Sequence, residues 1–197
     1  MGGLKENNGS ITFLNIKEGR LNVKQPNGSI KAYGSIGGVV TKVSFSKDQF
    51  EGKEYERAKI IITNGEERYM LQMNTESGYF RGFCNSLRSA SDLHGEVEIS
   101  PSYKKEGNSN PQTTCFIKQY DKTLKHRFTK DNMGDFPELK IIERDGKRFF
   151  DNSGQIEYWK KWLLDTYGEP EAEGIPETTT QDDIPDSIGG GYDDLPF

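Results

Sequence analysis

Between Val39 and Met73 apolar and polar side chains alternate with a period of two, and the dipeptide Asn64-Gly65 interrupts the alternation. A period of two puts successive side chains on opposite faces of an extended strand. Asn-Gly supplies the two positive-φ positions of a tight hairpin turn. The region is therefore committed to antiparallel β-structure with one buried and one solvated face. Over 39–45, Val39, Val43 and Phe45 fall on one face and Lys42 on the other. Over 56–63, Ala58, Ile60 and Ile62 point inward and Arg57, Lys59 and Ile61 outward. After the turn, 68–73 places Tyr69, Leu71 and Met73 on one face. The period then changes. Phe80, Phe83, Cys84 and Leu87 are spaced i, i+3, i+4, i+7, which predicts an amphipathic helix over 77–91. Two further strands are read at 95–100 and 113–120, separated by a polar loop containing Pro101, Gly107 and Pro111.

Three strands, a helix and two strands is the order of the five-stranded OB-fold barrel, which binds oligonucleotides on the face around strands two and three and at the loops joining strands one to two and four to five. The expected architecture is mostly β, with this barrel over 39–120. An N-terminal hairpin extension occupies 1–38 (strands 11–16 and 20–24 joined at Glu18-Gly19). A hairpin and an amphipathic helix occupy 121–167. The second hairpin is read as 139–143, Asp145-Gly146, 147–150. The helix, 154–167, is capped by Asn152 or Ser153 and ended by Gly168. Its stripe of Ile156, Trp159, Trp162, Leu163 and Tyr167 is read as packing on the barrel, with a protomer contact in a homo-oligomer as the alternative.

Charge divides the chain differently. The whole sequence has 26 Lys and Arg against 31 Asp and Glu. Residues 168–197 hold nine of the acids and no Lys or Arg, leaving 1–167 at +4. Few apolar side chains in 168–197 offset an ordering cost of about 1–2 kcal/mol per residue, so a disordered acidic tail is expected. A basic body with an acidic tail points to nucleic acid, a partner protein or both. No apolar run approaches the roughly 18–20 residues of a membrane helix, and residues 1–6 have no leader-like apolar stretch. Cys84 and Cys115 lack ligand or disulfide spacing, so a reducing cytoplasm is expected.

The enzyme motifs Gly-x-x-x-x-Gly-Lys-Ser/Thr, His-Glu-x-x-His and Gly-x-Ser-x-Gly are absent from the sequence. Gly34-Ser35-Ile36-Gly37-Gly38 precedes a strand rather than a helix, and His94 and His126 read as solvated loop residues. No enzyme activity, cofactor or metal is expected. The solvated strand faces carry more information. Phe116, Lys118 and Tyr120 share one face of the fifth strand, opposite Cys115, Ile117 and Gln119. An aromatic-basic-aromatic face suits single-stranded nucleic acid, whose bases stack and whose phosphates pair with cations. Lys42, Arg57, Lys59 and Arg68 add charge on neighbouring strands. The first barrel loop contributes Lys47, Phe50, Lys53 and Tyr55, and the last contributes Tyr103, Lys104 and Lys105. A slip of one residue in register would exchange the faces and turn Phe116 into core.

The sequence closes on Asp193-Asp194-Leu195-Pro196-Phe197, which resembles the acidic C-terminal tip of bacterial single-stranded-DNA-binding proteins. In that family a Gly/Pro-rich acidic tail follows an OB domain, and the tip docks replication and repair proteins. The resemblance implies that role for Phe197, with Asp193 and Asp194 facing a basic rim on the partner. It is closest to the divergent type encoded by tailed phages or mobile elements, which would work in the host cytoplasm. The expectation is therefore a protein that coats single-stranded DNA without sequence preference in replication, recombination or repair, and recruits proteins of that machinery. The alternative is an OB-like accessory module that holds protein, its tail mimicking DNA. A small nuclease using scattered carboxylates and Mg²⁺ is a third reading.

Overall fold

The computed structural model describes residues 10–168 apart from 51, 145 and 146. The chain starts with β1 (Ile11–Lys17), β2 (Arg20–Lys24) and β3 (Ile30–Tyr33). The long strand β4 (Ile36–Phe50) is followed by β5 (Lys53–Asn64), β6 (Glu67–Asn74) and helix α1 (Gly78–Leu87). Next come β7 (Glu96–Lys104), β8 (Gln112–Gln119) and β9 (Lys122–Thr123). A separate hairpin, β10 (Lys140–Arg144) and β11 (Lys147–Asp151), leads into helix α2 (Ser153–Tyr167). The architecture is mostly β with two helices.

The five-stranded closed barrel expected over 39–120 is not what these strands build. Among the described residues they form one nine-stranded sheet, β3-β2-β1-β6-β5-β4-β7-β8-β9, with no closure. The five expected strands are present in the order β6-β5-β4-β7-β8, and α1 connects β6 to β7. The edge of β6 that closure would use is taken by β1, which runs parallel to it from Ile11↔Arg68 to Asn15↔Gln72. That pairing satisfies the edge's backbone groups and carries Leu14 and Ile16 into the core. The N-terminal hairpin is thus hydrogen-bonded into the main sheet. Its turn forms where expected, with Glu18 and Gly19 both at positive φ. The strand β3 was not legible as one; all four of its residues are exposed.

Strand β4 pairs with two neighbours, β7 through 36–39 and β5 through 39–50. A bulge between Val40 and Lys42 shifts its phase. Strict alternation put Val39 on the core face; the bulge instead buries Val40 with Val43. Gly38 lies beneath the crossing at φ +150°, where a Cβ would meet the Thr63 carbonyl oxygen at 2.6 Å.

Helix α1 buries Phe80, Phe83, Cys84 and Leu87 as expected, and the Ser77 hydroxyl caps it by accepting from the Phe80 N–H at 3.2 Å. Gly78 and Gly82 let it lie directly on β8, since a Cβ at either would collide with Thr113 or Thr114. The Tyr79 hydroxyl accepts from the Gly19 N–H at 2.9 Å, tying α1 to the β1–β2 turn. In α2, Ile156, Trp159, Trp162, Leu163 and Tyr167 are all buried, so the Trp face packs within the chain. Trp159 meets Phe128, Phe136, Tyr158 and Trp162 at ring separations of 5.0–5.9 Å. No helix among the described residues is long and apolar enough to cross a membrane. The acidic tail beyond Gly168, with Asp193, Asp194, Leu195, Pro196 and Phe197, lies outside the described residues, as does the Asp145-Gly146 turn.

Candidate nucleic-acid interface

Pairing register turns the outward sheet face into rows. One row is Lys42, Ile61, Met70 and Phe13, contributed by β4, β5, β6 and β1. The next is Ser44, Lys59, Gln72 and Asn15. On the other side of the first lie Val39, Thr63, Arg68 and Ile11. Lys42, Lys59 and Arg68 therefore share a face, as the alternation required. Ile61 is only 6% exposed but lies outside the main core cluster, so its neighbours on this outward face cover it. Phe13 stands beside Met70 and is 52% exposed.

Arg57 occupies the same face in a different way. Its guanidinium donates to Gln72 Oε1 and to the Tyr55 hydroxyl, both at 2.8 Å, and pairs with Asp48 at 3.2 Å. Tyr55 also lies 5.5 Å from it, ring centroid to guanidinium. Arg57 and Tyr55 hold the β4–β5 end of the sheet together, so Arg57 is a structural cation before it is a binding one. Lys53 is exposed on this face, at the β5 residue paired with Phe50. The Phe50 side chain lies outside the described residues. Lys47 faces the other way: it pairs with Glu56 in the phase of Val43 and Phe45, and is exposed because β4 outruns the core there. Glu56 in turn holds Lys160 of α2 at 2.9 Å. Burial alone would lower the Lys160 pKa, but its bonds to Glu56 and Glu157 carry it above the usual lysine value.

The outward face continues across β4 to β7 and β8 through the row Gly37, Glu98, Lys118. Phe116 and Tyr120 are 46% and 67% exposed, while Cys115, Ile117 and Gln119 are buried. The register expected for β8 is observed over 115–119, but the strand ends at Gln119 and Tyr120 lies beyond it, in a turn at positive φ, rather than on the strand face. Gln119 is satisfied inward, accepting from the Ser91 N–H and donating to the Asp92 carbonyl. Lys118 lies 3.4 Å from Glu98, whose carboxyl is held below its ordinary pKa first by a hydrogen bond from Ser35 and then by Lys118. Tyr103 is on the opposite face from Phe116, in the phase of Val97 and Ile99, and sits against Gly19. Lys104 pairs with Glu106 at 2.6 Å and Lys105 is exposed beside it. By register Lys104 lies in the phase of Ser100 and Ser102, on the Phe116 face, so the start of the β7–β8 loop adds a paired cation to that surface while Tyr103 does not.

Phe13 was missed because β1 read as an extension rather than as the neighbour of β6. A signal existed: Phe13 is out of phase with Leu14 and Ile16, the core residues of its own strand. Of the two histidines, His94 packs edge-on against Tyr167 at 5.6 Å, and partial burial lowers the His126 pKa. Among the described residues no group of three or more His, Cys, Asp or Glu could hold a metal ion. No family model, curated protein or solved structure matches the chain.

Proposed function

We propose that the chain binds single-stranded DNA without sequence preference, as a non-catalytic protein of replication, recombination or repair. The observation that carries the reading is one sheet face on which the exposed aromatics Phe13 and Phe116 interleave with Lys42, Lys59, Arg68 and Lys118, with Tyr120 exposed in the turn that ends β8. Each aromatic offers a stacking platform worth about 1–3 kcal/mol per base, and each cation a phosphate partner. The order β4-β5-β6-α1-β7-β8 supports an OB-like core, whose second and third strands, β5 and β6, carry the middle of this face. The Asp193–Phe197 tip, by its likeness to the family tip, recruits protein partners.

Titration of labelled oligo-dT, oligo-U and duplex by fluorescence anisotropy tests the reading. Tight oligo-dT binding whose log affinity falls with log salt by about 0.7 per neutralised phosphate is expected. Equal indifference to oligo-dT and duplex from folded protein would refute it.

That result would favour the second reading, an accessory module that holds protein. One feature supports it. The β10–β11 hairpin stands apart from the main sheet, leaves Ile141, Ile142 and Phe149 exposed, and borders a cavity of about 350 Å³ lined partly by Met133, Leu139 and Phe150.

A further inference from the structure

Beyond Phe116 and Lys118 the chain does not leave the surface. Tyr120 and Asp121 turn it with both residues at positive φ, and β9 folds back on β8 with Lys122 opposite Gln119. The Leu124 N–H then donates to the Ile117 carbonyl at 2.8 Å. Three residues on, the chain is stapled to the flank of α1. The Arg127 N–H donates to the Asn85 carbonyl, and the Asn85 side chain both accepts from the Phe128 N–H and donates to the Phe128 carbonyl. These bonds fix a ribbon of exposed side chains, Tyr120, Lys122, Lys125 and Arg127, from the edge of the outward face to the helix.

Arg81 stands one helical turn before Asn85 on α1, on the same flank of the helix as the residue that anchors Arg127. Burial lowers the Arg81 pKa, and among the described residues its guanidinium has no ion pair or side-chain hydrogen bond. A partly buried, unpaired guanidinium is costly unless an anion completes it. Asp121, in the turn, is the one carboxylate of the 118–128 segment. Glu98 faces its start and pairs with Lys118.

We propose that this ribbon carries the phosphate backbone of a bound single strand from the outward sheet face round the β9 edge onto the flank of α1, where Arg81 clamps a phosphate. The inference rests on the binding reading above and extends it to a longer track. The interleaved aromatic, Tyr120, favours a nucleic-acid strand over an acidic peptide, because a base stacks on it while the flanking cations take phosphates. Planar guanidinium suits the terminal phosphate through two parallel N–H bonds.

The test compares oligo-dT of about 8 nucleotides, within one OB-sized site, with oligo-dT of about 30 nucleotides, on the full chain. The variants are Lys125→Glu with Arg127→Glu, both on exposed side chains, and separately Arg81→Gln. For the double variant, short-oligo affinity stays within about twofold, while the salt slope for the long oligo drops by roughly 1.4, or 0.7 per lost phosphate contact. Arg81→Gln lowers the long-oligo slope by about half as much. Wild-type-like binding of both lengths by the double variant would overturn the track while leaving the sheet-face reading intact. An equal loss for both lengths would also overturn it, since that is the result expected if the ribbon holds the chain's own acidic segment 169–197 and acts on the sheet face indirectly. Wild-type protein that binds neither length would sink the underlying reading instead.

Discussion

Arg57 and Lys59 lie two residues apart on one strand face and were equivalent by alternation, yet their surroundings separate them. Arg57 has a side chain 13% exposed and committed to Asp48, Gln72 and Tyr55. Arg57→Ala should lower folding stability by about 1–3 kcal/mol, since it strands partly buried partners, and a denaturant melt reads that directly. Lys59→Ala should leave the melt unchanged and weaken oligo-dT binding. If both variants lose binding alone, Arg57 is a contact residue and the structural assignment fails. Phe13 makes the complementary case. With half its surface exposed beside Met70, Phe13→Ala should cost little stability but about 1–3 kcal/mol of oligo-dT binding if a base stacks there. Whether alternation reads a residue correctly depends on its position within the strand. Phe116, Lys118 and Gln119 lie on the half of β8 that packs over the core, with Cys115, Ile117 and Gln119 buried, so inward and outward are fixed there. Lys47 and Tyr103 lie at strand ends that outrun the core, so exposure there says nothing about which face they share. Val39 failed for a third reason, a bulge that no residue at 39–42 announces.

Hairpins were legible because their turns are local. Glu18-Gly19 takes positive φ at both positions; after β5 the turn falls one residue later than Asn64-Gly65, with Asn64 still paired to Glu67 and Gly65 alone at positive φ. The parallel pairing of β1 with β6 was not legible, because its partners are more than 50 residues apart and no turn records the register. Helix α2 was legible from its apolar stripe, and Trp159→Ala should cost about 3–5 kcal/mol by emptying the centre of the aromatic cluster around Phe128 and Phe136. Its start was read less well. Asn152 occupies the cap position but makes no side-chain cap bond; the Asp151 carboxylate accepts from the Ser153 N–H at 2.9 Å instead. Those Ser153 hydrogen bonds, and next the charge of Lys140, hold the Asp151 pKa below its usual value. A lowered carboxyl pKa means the stabilisation is complete above the ordinary aspartate pKa and disappears as the pH falls through the folded value. The protection factors of the amides in the first turn of α2, which correct exchange for its intrinsic pH dependence, should therefore fall on acidification in the wild type and show no such step in Asp151→Asn. An identical acid response in both would assign the fraying to another group.

Taken whole, the chain joins a body of formal charge +4 to a segment carrying nine carboxylates. The charge asymmetry could be read from the sequence because it is additive and indifferent to fold. The arrangement of the positive charge could not, because it depends on β1 taking the edge of β6 and on β9 turning the chain toward α1. The two meet in one prediction. A tethered anion is present at high effective concentration around any cationic surface within its reach, and competes there with a polyanionic ligand. Ending the chain at Gly168 should therefore raise affinity for oligo-dT. The gain should be largest at low ionic strength and fade toward the roughly 10 Å Debye length of 0.1 M salt, because the competition acts through exposed charges. Anisotropy titrations of the full and shortened chains across a salt series read both features together. A constant gain at every salt would mean the segment acts by steric obstruction, and no gain at low salt would mean it does not visit the binding face. Removing Phe197 alone changes no charged side chain, so it should leave the titrations untouched while abolishing capture of a replication or recombination partner.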